Sequence, residues 1–258
     1  MDRILPAEGT NTYLVGRGPK RLLIDTGEGR PEWFNLLQDT LSSENATVEK
    51  VIITHWHGDH VGGIIDLDGL SSKPTVYKSQ IVPNEDMKDI ADGQKFEVEG
   101  ATLRAFHCPG HTEDHMALIL EEEDAMFTGD NVLGHGTAVF EDLSKYLSSL
   151  EKMRQQIKGR AYPGHGAVVD DCRAKITEYI EHRAMREREV IGVLGQKTAK
   201  EGWGVMEIVK IIYKDVPESL HLAASRGVVQ ILQKLLNENK VFHDEAKDVW
   251  VLNKKAVL

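Results

Sequence analysis

Short apolar runs, separated by glycine, proline and asparagine turns, occupy the first 170 residues of the chain. This pattern is typical of β-strands. The predicted strands cover residues 11–16, 21–26, 50–55, 75–79, 101–108, 116–121 and 125–130. Apolar residues at helical spacing predict helices between them. The predicted helical faces comprise Trp33, Leu36, Leu37 and Leu41, and Tyr146, Leu147, Leu150 and Met153. We therefore predict an α+β fold of two sheets covered by outer helices.

After residue 170 the pattern becomes helical. Helices are predicted over residues 173–194, 204–213 and roughly 218–239, followed by a hairpin of residues 240–242 and 249–252. Helix, helix and a two-stranded wing resemble a winged-helix module. The chain is therefore predicted to contain a first domain over residues 1–172 and a C-terminal helical, winged-helix-like domain over residues 173–258.

Composition places the chain among ordinary globular proteins, since 41% of its 258 residues are hydrophobic and 28% are charged. No apolar run reaches the roughly 18 residues of a membrane span, and no signal peptide is recognisable, so we expect a cytoplasmic protein. Cys108 and Cys172 are too few for a disulfide framework and are expected to be reduced thiols. The net charge of −10 disfavours a polyanion partner without excluding one.

A cluster of histidines follows the apolar run that ends at residue 55. Within six residues the chain carries His55, His57, Asp59 and His60, and Gly58 permits a tight turn between them. A single buried histidine is more often a hydrogen-bonded core residue than a ligand. Three imidazoles and a carboxylate so close together instead indicate a site for a divalent first-row metal.

Three later segments repeat the arrangement of a small residue followed by a metal-ligating side chain. They are Pro-Gly-His ending at His111, Thr-Gly-Asp ending at Asp130, and Pro-Gly-His ending at His165. The first two of these segments lie at or just after the end of a predicted strand. The sequence therefore predicts that these three residues complete the metal site.

The motif HxHxDH, followed by a histidine, an aspartate and a histidine, resembles that of the metallo-β-lactamase superfamily. The resemblance implies an αββα sandwich and two metal ions. By the same resemblance, the first metal is bound by His55, His57 and His111, the second by Asp59, His60 and His165, and Asp130 bridges them. Asp25, in the segment LIDTG, matches a motif whose carboxylate orients the histidine-rich loop, although an Asx turn ending a strand remains the alternative.

Two metals of this kind can hold a bridging hydroxide that acts as the nucleophile, while Asp59 orients it or carries its proton. Zinc is favoured, with iron and manganese as alternatives. His115 and His135 are predicted to lie near the metal cleft. For each of them a pocket role, as substrate contact or proton donor, stands beside a role in hydrogen bonding.

Further segments resemble the beta-lactamase-like protein 2 group, which is close to the glyoxalase II type. They cover residues 9–15, 24–28, 111–118 and 139–143. The resemblance offers two functions: release of an acyl chain from the acyl carrier protein of a fungal non-reducing polyketide synthase, or cleavage of single-stranded RNA in mitochondria. A non-catalytic protein that has kept the fold is a third hypothesis.

The thioesterase function is favoured, because residues 27–33 and 129–137 look more like the fungal thioesterases. An aromatic content of 6% also disfavours stacking on single-stranded RNA. An acidic partner could use basic residues of the C-terminal helices, although a solvated helix face is the favoured interpretation. These residues are Arg183, Arg186, Arg188, Lys210 and Lys214. The resembled family has a further strand ahead of Gly9, which we expect to be missing here.

Overall fold

The apolar runs of the first 170 residues form two β-sheets in the computed structural model, which describes residues 9–196 and 201–256. The first sheet contains, in spatial order, β1 (Tyr13–Val15), β2 (Lys20–Ile24), β3 (Thr47–Ile53) and β4 (Thr75–Lys78). The second contains β5 (Lys95–Val98), β6 (Ala101–His107), β7 (Met116–Leu120), β8 (Ala125–Gly129) and β9 (Ala161–Pro163). Strands β2, β3 and β4 pair in parallel, as do β8 and β9, whereas the other neighbours are antiparallel.

The main core lies between the two sheets. Ile52 of β3 belongs to it, together with Leu103 and Leu118 of the second sheet. Its neighbours Val51 and Ile53 belong to a second cluster on the outer face of the first sheet, because successive side chains of a strand point to opposite faces. β3 is thus buried on both faces, which explains its unbroken apolar run.

Helices cover the outer faces of both sheets. They are α1 (Pro31–Ser43) and α3 (Leu143–Gln156), and between them α2 (Gly58–Val61) leads into a 3-10 segment, Gly62–Gly69. Leu37 and Leu41 of α1 pack on the first sheet. On the second sheet, Arg104 of β6 donates a hydrogen bond to Gln156 of α3 over 3.4 Å. The layers follow the predicted αββα order.

One position of the predicted α1 face is wrong. Leu36 is 67% exposed. Residues 33, 37 and 41 repeat every four positions and line one stripe of the helix, whereas Leu36 is rotated away from it. The burial of Tyr146, Leu150 and Met153 along α3 follows the prediction.

The C-terminal part contains α4 (Cys172–Leu194), α5 (Val205–Ile212), α6 (His221–Asn237) and a hairpin of β10 (Val241–Asp244) and β11 (Val249–Leu252). Ile208, Val228, Leu232 and Trp250 are buried in it. Trp203 and Trp250 exchange backbone hydrogen bonds of 3.0 and 2.9 Å, which adds a bridge to the wing. α6 starts later than predicted, because Glu218–Leu220 form a 3-10 turn.

The described residues divide into two units within the bounds Met1–Glu141 with Lys145–Thr177, and Asp142–Ser144 with Glu178–Leu258. The sequence-based boundary after residue 172 stays a prediction. The strand expected to be missing ahead of Gly9 concerns residues outside the described part of the chain. None of the helices in residues 9–196 and 201–256 combines the length and apolarity of a membrane span.

Candidate metal centre

The predicted ligands converge from loops that follow four strands. One loop follows β3, and the others follow β6, β8 and β9. Their side chains form two groups, and within each group the potential ligand atoms lie within 4.8 Å of one another. The first group comprises His55, His57, His111 and Asp130, and the second comprises Asp59, His60 and His165.

Three imidazole nitrogens meet in the first group. His57 Nδ1 lies 3.0 Å from His55 Nε2 and 3.0 Å from His111 Nε2. Two nitrogens bound to one tetrahedral ion at 2.0–2.1 Å are about 3.3 Å apart. The observed spacing is therefore close to that of a metal site.

Hydrogen bonds on the far side of the rings fix which nitrogens face the site. The carbonyl of Val139 accepts from His111 Nδ1 over 2.8 Å, so this nitrogen carries the proton. Thr54 Oγ1 donates to Asp25 and therefore accepts from His55 Nδ1 over 3.0 Å. Burial lowers the pKa of both His55 and His111, which keeps them neutral. Each consequently presents an Nε2 lone pair to the site.

Asp130 lies between the two groups. Its Oδ1 is 3.4 Å from His60 Nε2, and its Oδ2 is 3.3 Å from His165 Nε2 and 3.6 Å from His111 Nε2. Asp59 Oδ2 completes the second group, 3.5 Å from His60 Nε2 and 3.2 Å from His165 Nε2. Asp130 therefore occupies the place that the resemblance assigns to a bridging carboxylate.

Two buried atoms of this cluster have no hydrogen-bond partner among the described residues, namely His60 Nε2 and Asp130 Oδ1. Burial without a partner is costly, so such atoms indicate a bound group. Burial lowers the pKa of His60, but the carboxylates of Asp25 and Asp130 outweigh it and raise this pKa to about 10. The hydrogen bond with Asp130 likewise raises the pKa of His165. These carboxylates favour positive charge, and the donor set fits divalent metal ions.

Asp25 holds the histidine-rich loop from behind. Its Oδ1 accepts from the Thr54 backbone N–H over 2.8 Å, and its Oδ2 accepts from His60 Nδ1 over 2.8 Å. The residue adopts a left-handed backbone with φ of 59°, a conformation that aspartate tolerates better than most residues. Because His60 Nδ1 donates to Asp25, a neutral His60 keeps its proton there, and Nε2, which faces Asp130, is the nitrogen that would supply a lone pair to a metal.

His115 and His135 lie in different surroundings. His115 is buried; its Nε2 accepts from the Asp130 backbone N–H over 3.1 Å, and its Nδ1 lies 3.2 Å from Cys108 Sγ. These contacts fit the hydrogen-bonding alternative for His115. His135 is exposed and close to Gly166, where a Cβ would lie 2.7 Å from His135 Cδ2. This places His135 beside the loop of His165.

Residues of the N-terminal segment support the second group and were not predicted from the sequence. Thr10 Oγ1 donates to Asp59 Oδ2 over 2.9 Å, and His165 Nδ1 lies 3.3 Å from the Gly9 carbonyl. Asn11 Nδ2 donates to the carbonyls on either side of His165, at Pro163 over 3.0 Å and at Gly166 over 2.8 Å. The resemblance of residues 9–15 marked this segment but assigned it no role.

Gly164 brings the backbone into contact with the cluster. A Cβ at this position would lie 2.4 Å from Asp130 Oδ1 and 3.0 Å from His60 Cε1. Such approaches are too close for any other residue without displacing Asp130. Glycine is therefore required before His165.

Comparison with known proteins assigns the family. Residues 5–165 match the metallo-beta-lactamase superfamily, and residues 204–250 match the beta-lactamase associated winged helix domain. The chain belongs to the metallo-beta-lactamase superfamily, and we class it accordingly as a hydrolase. The predicted family and the winged-helix module are thereby confirmed.

Relatives and solved structures agree with this assignment. The chain is 45% identical to the lactamase-like protein aptB of Emericella nidulans, over 91% of this chain and 78% of the relative. It is 46% identical to a protein of Aspergillus chevalieri named atrochrysone carboxyl ACP thioesterase, over the same shares of the two chains. A beta-lactamase domain protein from Burkholderia ambifaria shares the fold at a TM-score of 0.81 and 16% identity, over 98% of this chain and 89% of that one. A metallo-beta-lactamase family protein from Thermus thermophilus shares the fold at a TM-score of 0.75 and 20% identity, over 97% of this chain and 96% of that one.

Proposed function

We propose that the protein is a thioesterase with two divalent metal ions, which releases a polyketide acyl chain from the acyl carrier protein domain of a non-reducing polyketide synthase. The observation that carries this proposal is the 46% identity, over 91% of the chain, to a relative named as an ACP thioesterase. The two groups of ligand atoms support the metal-dependent part of the proposal.

In this proposal His55, His57 and His111 would hold the first ion, and Asp59, His60 and His165 would hold the second. Asp130, which lies beside histidines of both groups, would contribute to both ions. Zinc is favoured over iron and manganese, although histidine and carboxylate suit all three. When bound, ions of this kind lower the pKa of water from 15.7 to about 7 and polarise a carbonyl group.

The reaction is hydrolysis of a thioester. The oxygen of water forms a bond to the carbonyl carbon, the C–S bond breaks, and the products are a carboxylic acid and the carrier thiol. Asp59 orients the water and accepts its proton, which returns to the leaving sulfur. The carboxylate suits this role because its side chain is 33% exposed, whereas that of Asp130 is 11% exposed, and Thr10 fixes it from one side.

The test is release of free thiol from an acylated carrier protein by purified, zinc-loaded protein. Asp59→Asn removes the proton acceptor and is expected to lower kcat by about 10²- to 10⁴-fold. Asp68→Asn is the matched control, because Asp68 is an exposed residue paired with Lys73 over 2.6 Å. The control is expected to retain wild-type activity.

Other outcomes identify the competing functions. Cleavage of single-stranded RNA that depends on Asp59, without thiol release, would establish an endoribonuclease. A metal-loaded protein inert towards both thioesters and RNA would support a non-catalytic role.

A further inference from the structure

We propose that Trp56 and Val139 form an apolar rim that binds the acyl chain of the substrate, and that Trp56 sets a preference for large aromatic acyl groups. This inference rests on the proposed thioesterase function. It concerns the part of the substrate that the metal ligands do not contact.

The metal centre meets solvent on one side. His55 and His60 are buried, whereas His57, Asp59 and His165 are only half-buried. A substrate therefore reaches the cluster past these three side chains. Residues that border them are positioned to contact the substrate next to its reacting carbonyl.

Trp56 borders this opening on the side of the first group. Its ring lies 4.5 Å from that of His57, between centroids, at an interplanar angle of 70°. The residue is nevertheless 51% exposed. A singly exposed apolar residue is ordinary on a protein surface. Here the exposed indole adjoins an imidazole of the candidate reaction centre, which places it within reach of a substrate bound there.

Val139 is a second exposed apolar residue that contacts the same group. Its backbone carbonyl accepts from His111 Nδ1 over 2.8 Å, and the residue is 72% exposed. The rings of His57 and His111 are 4.7 Å apart. Trp56 therefore contacts His57, and Val139 contacts the neighbouring His111.

The second group is bordered by polar residues instead. Thr10 contacts Asp59, and Asn11 holds the loop of His165. The exposed residues that contact the first group, Trp56 and Val139, are thus apolar. The residues that contact the second group or its loop, Thr10 and Asn11, are polar. This asymmetry orients a thioester with its acyl chain over Trp56 and the more polar carrier side towards Thr10 and Asn11.

The experiment compares two thioesters of one carrier protein, one with an aromatic acyl group and one with an acetyl group. An aromatic side chain presents about 150–250 Å² of surface, and covering its exposed half gives, at about 25 cal/mol per Å², an effect on the order of 20- to 200-fold. Trp56→Ala is therefore expected to lower kcat/KM for the aromatic thioester by about that factor, mainly through KM, and to leave acetyl hydrolysis within about 2-fold. Trp56→Phe is expected to restore part of the loss.

Two controls separate substrate binding from a structural role. Leu36→Ala, at a 67% exposed position of α1, is expected to change neither substrate. Metal content per chain, measured by elemental analysis, is expected to be the same in wild type and both Trp56 variants. Equal losses with both thioesters, or loss of metal, would show that Trp56 only supports His57 and would overturn the proposal.

Fluorescence provides a readout that does not depend on turnover. The remaining tryptophans, Trp33, Trp203 and Trp250, are half-buried or buried, so iodide quenching reports mainly on Trp56. A non-hydrolysable aromatic acyl thioether is expected to reduce this quenching, and an unchanged value would contradict the proposal. If the wild type hydrolyses neither thioester, the proposed function is contradicted. If it hydrolyses them but the activity does not depend on Trp56, only the proposed apolar rim is contradicted.

Discussion

Asp25→Asn exchanges one carboxylate oxygen for an NH₂ group at a position that is 1% exposed. Asn can still accept from the Thr54 backbone N–H through Oδ1, as Asp25 does over 2.8 Å. Its NH₂ group then replaces the oxygen that receives His60 Nδ1–H over 2.8 Å. Because two donors cannot share a hydrogen bond, His60 must move its proton from Nδ1 to Nε2.

The consequence falls on the metal site. A protonated His60 Nε2 has no lone pair for a metal and points its proton at Asp130 Oδ1, 3.4 Å away. Loss of such an orienting carboxylate typically costs 10- to 100-fold in metal affinity. Replacing a charged hydrogen bond by a neutral one is expected to lower the free energy of unfolding by only about 1–2 kcal/mol. The variant should therefore fold and bind the second ion weakly.

Competitive titration with a chelator measures the affinity of each metal equivalent in wild type and Asp25→Asn. We expect one equivalent to weaken by about 10- to 100-fold and the other to change less. Asp68→Asn, which makes the same chemical change at an exposed residue, is expected to bind both equivalents normally. Wild-type affinity for both equivalents in Asp25→Asn would refute the assigned His60 tautomer.

Further expectations follow from the same contacts. Gly164→Ala places a methyl group 2.4 Å from Asp130 Oδ1, so elemental analysis should show reduced metal content and thermal unfolding a loss of about 1–3 kcal/mol. Thr10→Ala removes the donor to Asp59 and is expected to lower kcat for thiol release about 3- to 10-fold, whereas Thr10→Ser should retain it. Cys108 and Cys172 are buried, and burial raises the pKa of both thiols to about 12, so a disulfide reagent should label them only after unfolding. Unfolded thiols ionise near pH 8.5, so chemical denaturation should show stability falling as pH rises above that value.

The ligand set was predictable because its residues carry a local signal. Three histidines and an aspartate lie within six residues after β3, and the later ligands follow small residues near strand ends. The buried strands were likewise visible as apolar runs. The short strands β5 and β9 were not predicted. β5 has four residues, two of them charged and exposed, and β9 has three residues that end in a proline, so neither shows a clear alternation of apolar and polar positions.

The residues that support the ligands could not be found in this way. Thr10 bonds to Asp59 across 49 positions, and the Val139 carbonyl bonds to His111 across 28. Such contacts depend on how loops meet in space, and no periodicity marks them. The contact of Val139 is made by its backbone carbonyl, which every residue has, so the residue type does not predict it.

We propose that hydrolysis depends on two metal ions held by this cluster. Activity towards an acyl carrier thioester, measured while metal-free protein is titrated with zinc, tests it directly. We expect negligible activity at the start and a rise that ends at two equivalents per chain, with no rise in Asp130→Ala. Full activity without metal, or a rise in Asp130→Ala equal to that of wild type, would contradict it.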